Sequence, residues 1–255
     1  MIRALYLDAG QDWQVRLDDG VALHVSAPGR TRNLVPLRQL ARVISPASAQ
    51  RSTEALLACL RSGVPVLFHD HHGDTIAWCF GPRKRETTLG ELLRETMQHP
   101  MGGDMLDQWR RSCERREILC ALVGSGIAPR PADAANARSR LFNHHRLRLG
   151  FAVGERMRHL QRAAGALVAQ QLHEHLGDPA LIGFAREGLH MGLFLTELLS
   201  WRLHSSLTHT PRWRLETMSA AQFAAFAVER DATQLCRALG DQLGGLEYHL
   251  REQLT

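Results

Sequence analysis

Lysine is almost missing from this chain: of 31 basic residues only Lys84 is a lysine, and the rest are arginine. Cysteine is scarce and scattered. Cys59, Cys79, Cys113, Cys120 and Cys236 form an odd set with no CxxC pair. That excludes a disulfide framework and a cysteine-rich zinc site, and leaves the thiols expected as small buried hydrophobes. No apolar run reaches the roughly 18 residues a membrane span needs. The opening MIRALYLDAG lacks the apolar region and small-residue cleavage site of a secretory signal. A cytoplasmic protein without a membrane partner is therefore expected. Nucleophile-elbow, Walker and Rossmann signatures are missing too, and no period of roughly 20–50 residues recurs.

What is present is a globular composition. The chain has 255 residues, 44% hydrophobic and 22% charged, enough to bury roughly 70–75% of its unfolded surface. The net charge is +5, and it is unevenly spread. Between residues 130 and 162 stand Arg130, Arg138, Arg140, Arg146, Arg148, Arg156, Arg158 and Arg162 against only Asp133 and Glu155. Arginine makes bidentate contacts to phosphate, and each neutralised phosphate releases counterions. The stretch is thus a candidate DNA-binding surface; a solvated helix face is the competing reading.

The hydrophobic period changes along the chain. Residues 2–8, 12–17, 21–26, 40–45, 64–68 and 75–79 read as strands, with a hairpin turn at Asp18-Asp19-Gly20, Pro46 closing the fourth and a turn at His72-Gly73-Asp74. One short helix, carrying Leu56, Leu57 and Leu60, is bounded by Ser52 as N-cap and Gly63 beyond its end. The polar stretch 81–88 reads as a linker. Thr88 and Glu91 then have capping-box spacing, and helices follow. Leu106, Trp109, Cys113 and Cys120 predict one buried stripe, 124–136 a loop, Gly150 and Gly154 weak points in a long helical stretch. Asp178-Pro179 opens a segment to about residue 207, 208–214 reads as a loop with Pro211, and Ser219 caps a last helix. The fold class expected is α+β: a small N-terminal β domain (1–80), a linker (81–88) and a larger all-α C-terminal domain (89–255). Trp109, Trp201 and Trp213 are expected in the helical core.

Several side-chain groups could hold a metal. Glu187, His190 and Glu197 share a helix face within about 80°, yet the first and last stand about 15 Å apart along the axis, so helix packing is the favoured role. His69-Asp70-His71-His72 sits at a turn where alternation sends imidazoles to opposite faces. His144-His145 and His173/His175 are spaced so that they do not face each other on a helix. Gly124-Ser125-Gly126 follows a helix, not a strand, and reads as a terminator rather than a phosphate loop.

The order of elements and several motifs resemble one family, the CRISPR-associated spacer-acquisition integrase and endonuclease (Cas one). The N-terminal matches are Leu5-Tyr6-Leu7, Gly10, Val35-Pro36-Leu37, Val43, Ser52, Ala55-Leu56, Gly63-Val64-Pro65-Val66, Phe68 and His72-Gly73. Further on, Asp178-Pro179, Ile182-Gly183-Phe184 and the run Leu193 to Arg202 are similar to the family's last two motifs. The resemblance implies DNA as partner, a homodimer through the N-terminal domain and a second CRISPR-associated protein as a further partner. Arg186 and Arg202 join the DNA-binding candidates on the strength of it. It also implies a divalent metal, Mg2+ or Mn2+, held by a glutamate, a histidine and an acidic residue. Here the histidine position is Arg186, the acidic position is Leu199, and an aspartate three residues earlier is Thr196; no family glutamate motif occurs between 100 and 170. The expectation is therefore no catalytic residues and no metal cofactor: a DNA-holding subunit linked to spacer acquisition and antiviral defence. The alternatives are an active divergent nuclease using Glu187 or Glu197, and an interaction module of a CRISPR complex whose arginines are salt-bridged.

Overall fold

The computed structural model describes residues 3–73, 75–81, 88–129, 134–150, 153–176, 185–186 and 189–254, with 185, 186 and 189 in backbone only. It is an α+β structure, with a β region followed by a helical region. The strands are β1 (Arg3–Tyr6), β2 (Gln14–Asp18), β3 (Ala22–Ser26), β4 (Asn33–Pro36), β5 (Leu40–Pro46), β6 (Gln50–Arg51), β7 (Val66–His69) and β8 (Thr75–Cys79), with α1 (Thr53–Arg61) before β7. The helices that follow are α2 (Thr88–Gln98), α3 (Gly102–Gly124), α4 (Ala134–Leu149), α5 (Val153–Leu176), α6 (Met191–His209), α7 (Arg212–Thr217) and α8 (Ala220–Leu254). Two two-residue strands, β9 (Ala185–Arg186) and β10 (Leu189–His190), pair antiparallel among them.

Local chemistry accounts for many boundaries. Asp19 and Gly20 both take positive φ, 47° and 72°, as a tight hairpin turn demands, and β2 pairs antiparallel with β3. The Ser52 hydroxyl accepts the Ala55 N–H at 3.1 Å, and Gly63 turns left-handed at the other end of α1. Ser219 and Gln222 exchange side-chain and backbone bonds at the start of α8, at 3.2 and 3.0 Å.

Two sheets form, in the orders β4-β3-β2-β6 and β1-β5-β7-β8. Side chains alternate across a strand, so β5 and β7 have two apolar faces. Val43 and Val66 join Leu7, Trp13, Val15, Leu23, Val25 and Cys59 in the core between the sheets. Ile44 and Leu67 point the other way, onto Ala166 of α5. Helix α5 is buried from Ala163 to Ala169; it packs on β5 and β7 on one side and on α6 and α8 on others. A Cβ on Gly165 would touch Leu67 and Thr196 at 3.5 to 3.6 Å, which allows the close approach. Arg42 of β5 adds a polar tie, its guanidinium bonded to Glu229 of α8 and, at 3.3 Å, to Gln170 of α5.

Three sequence expectations are corrected. Cys120 is exposed, not buried: the buried stripe of α3 runs from Trp109 and Cys113 to Glu117 and Ala121. It advances at every fourth residue as α3 passes along α6. Residues 212–214 belong to α7, started by Pro211, not to a loop. Trp213 on that helix is 60% exposed, whereas Trp109 and Trp201 are core.

Candidate nucleic-acid interface

The arginines of the basic stretch do not form one face. Arg156 and Arg162 are six residues apart, about 240° around α5, and the described members of the set divide between α4 and α5. Arg162 is 5% exposed. Its Nη1 lies 3.2 and 3.4 Å from the His69 ring nitrogens and its Nη2 bonds His159 Nδ1. Burial, then the neighbouring Arg162 charge, pushes His159 down to about 4. Arg148 donates to the carbonyls of Leu207, Thr208 and, at 3.0 Å, Thr210, closing the end of α6. Arg156 donates to Leu215 and Met218 carbonyls at 2.6 and 3.3 Å. Arg140 takes the Ala128 carbonyl at 2.6 Å. Arg202 makes a bidentate pair, 2.7 and 2.9 Å, with Glu117. Glu117 has no exposed surface and also accepts from Gln242 at 3.0 Å. Arg138 pairs with Glu197 and stands 5.3 Å over the Trp201 ring. Arg146 and Arg158 are exposed and have no partner among the described residues. Arg130 lies outside the described residues, and Arg186 is described only as part of β9.

Two of the positions matched to metal ligands lie on α6. Leu199 is 0% exposed, inside the helical core. Thr196 donates its hydroxyl to the Gly192 carbonyl at 2.7 Å. The Leu199 alkyl group has no lone pair to give, and Thr196 offers a neutral hydroxyl in place of a carboxylate, so the pair lacks the anionic oxygen that a hard divalent cation favours. The carboxylate that α6 turns toward α4 is Glu197, and Arg138 is its partner. Glu187 lies outside the described residues, and His190 uses Nδ1 to cap α6 by accepting the Leu193 N–H at 3.2 Å. At the histidine run, His69 is buried against the carbonyls of Leu7 and Asp70, while the His71 and His72 rings lie 3.8 Å apart, tilted by 44°. Among the described residues no three His, Cys, Asp or Glu side chains converge.

Deeper in the α4–α6 contact, the His145 and His204 rings lie nearly parallel, 5.2 Å apart. Both His145 nitrogens and His204 Nδ1 are buried without a hydrogen-bond partner among the described residues. Burial foremost, with His144 and Arg148 adding, pushes His145 down to about 4. Burial, His145 and Arg138 push His204 down to about 3.

No family model and no curated protein sequence matches the chain. Solved structures do. A CAS1 protein from Thermotoga maritima superposes with a TM-score of 0.71 at 11% identity, over 98% of this chain and 97% of that one. TtCas1 in complex with DNA gives 0.57 at 14%, over 97% and 91%. A casposase bound to its integration product gives 0.66 at 10%, over 99% and 91%. The chain has a Cas1-like fold. Within that Cas1-like frame, sequence reasoning missed Glu117 and the His145–His204 stack. Glu117 had a usable signal, a lone acidic residue inside an apolar helical stripe. The histidine stack joins residues 59 positions apart and left no local pattern to read.

Proposed function

We propose that this chain is a Cas1-like, CRISPR-associated or transposase-related DNA-binding subunit that holds DNA without cutting or joining it. The observation that carries the reading is Leu199, fully buried in the helical core where the resembled family places an acidic metal ligand. Arg186 at the histidine position and the internally bonded Thr196 hydroxyl support it. DNA as partner is supported by the fold shared with TtCas1 in its DNA complex and with the casposase on its integration product, and by the exposed Arg146 and Arg158. A homodimer through the β region, and a second CRISPR-associated protein beside it, are part of the proposal. No described helix is long and apolar enough to cross a membrane.

A second reading has its own observation. Arg138, Arg148, Arg156, Arg162 and Arg202 are all bonded within the chain, as a pure interaction module would have them. Labelled branched DNA, titrated at several salt concentrations with and without manganese, separates the readings. The expected result is retention with log K falling linearly on log salt, and no cleavage. Binding that ignores salt, or no binding, favours the interaction module. Manganese-dependent cleavage lost in Glu197→Ala overturns the inactive reading.

A further inference from the structure

We infer that the cleft where α4, α5 and α7 meet is a phosphate site for the bound DNA strand; the inference rests on the DNA-holding reading above. The cleft measures about 360 Å3 and is lined by Arg146, Arg148, Arg156, Arg212, Leu215 and Glu216, among others. Gly150, with φ of 68°, ends α4, whose last turn lines the cleft together with Arg156 of α5.

The charge in the cleft is not cancelled. Arg148 and Arg156 are fixed by neutral carbonyl oxygens, so they are held in place with their charge intact. Arg146 has no partner among the described residues. Glu216 is the single carboxylate of the lining, and its bond with Arg212, at 2.8 Å, is solvent-exposed on both sides, where such a pair contributes little. Four guanidinium groups therefore face one carboxylate. Helix dipoles explain Arg146 and Arg148, which stand at a helix C-terminus. They do not explain Arg156, a cation in the first turn of the 24-residue α5, where the dipole favours anions. Its bonds to the Leu215 and Met218 carbonyls hold it there, and Glu155 is the anion of that turn; the formal charge of Arg156 still adds to the cleft. Two fixed arginines and two movable ones give a ready field and adjustable forks, the arrangement that bidentate phosphate recognition uses. Trp213, adjacent to Arg212 and exposed, offers a ring on which a base can stack.

The phosphate can be an internal diester or a 5′-terminal monoester, and one experiment sorts them. Full-length protein, Arg146→Ala/Arg212→Ala, and the charge-matched control Arg38→Ala/Arg61→Ala from the β region are titrated over a salt series. The DNA carries either a 5′-phosphate or a 5′-hydroxyl. Each phosphate-binding side chain removed lowers the slope of log K against log salt by about one, so the cleft variant should lose about two. Affinity at low salt should fall about a hundredfold, about tenfold for each charge-assisted hydrogen bond to phosphate, while the control keeps its slope and affinity. A loss confined to 5′-phosphorylated DNA supports a terminal site; an equal loss on both DNAs supports an internal one. If the wild type binds and the cleft variant, folded by circular dichroism, binds with unchanged slope and affinity, the inference is overturned and the DNA-holding reading stands. If the wild type binds neither DNA, that reading falls; a thermal shift by inorganic pyrophosphate in wild type but not in the cleft variant then keeps the cleft as a phosphate site.

Discussion

Mild acid should destabilise this protein through its stacked histidines. His145 and His204 are held at about 4 and about 3 inside the α4–α6 contact, against 6.5 in the unfolded chain. Below pH 6.5 the unfolded chain takes up protons that the folded one refuses, so stability falls as pH falls, until the folded values are reached. Over the 1.5 units from 6.5 to 5, at 1.36 kcal/mol per unit, one such imidazole costs about 2 kcal/mol. The two together cost up to about 4 kcal/mol on that basis, and His159 adds in the same direction. Asp107, pulled below 3.8 by its hydrogen bond from Arg110, changes state in stronger acid than this window. Urea unfolding at pH 7 and pH 5 measures the difference. In His145→Leu/His204→Leu the loss should shrink by most of that amount. At pH 7 the variant should be no less stable than wild type, because three buried, unpartnered nitrogens give way to carbon. A wild-type loss below about 1 kcal/mol, or an equal loss in the double variant, would refute the reasoning.

Other perturbations are equally direct. Glu117→Ala leaves Arg202 and Gln242 without their shared acceptor. With Arg202 37% exposed and able to turn to water, it should cost about 1.5–3 kcal/mol, read as a drop in the urea midpoint at constant slope. Gly192→Ala would drive a Cβ into the Trp78 indole. The variant should be destabilised, and Trp78→Ala should recover part of the loss, giving a coupling of about 0.5–3 kcal/mol in a double-mutant cycle. Ser52→Ala removes the α1 cap and should lower stability by about 1 kcal/mol.

The elements legible in the sequence are those fixed by neighbours in the chain. The Asp19-Gly20 turn, the Ser52 cap, Gly63 and the Ser219 box each act within four residues. Strand β4 was invisible because Asn33–Pro36 has little strand character of its own; β3 supplies its pairing, and as an edge strand it tolerates Pro36. The site was legible as residue types and not as partners. Arg148 and Arg156 find their carbonyls about 60 positions away, and Arg162 finds His69 93 positions back. A guanidinium that ends a distant helix looks, in sequence, like one that waits for phosphate. The density of arginine alone therefore overstates the surface and does not single out the cleft where charge remains.

The contact of Ile44 and Leu67 with Ala166 also sets a schedule. During synthesis the sheet is complete in sequence by Cys79, but the helix that covers its outer face is complete only at Leu176, about a hundred residues later. At roughly 5–20 residues per second, that apolar face stays uncovered for about 5–20 s at the ribosome. The β region thus passes its early life with a sticky wall, and any fragment that stops short of α5 keeps it for good.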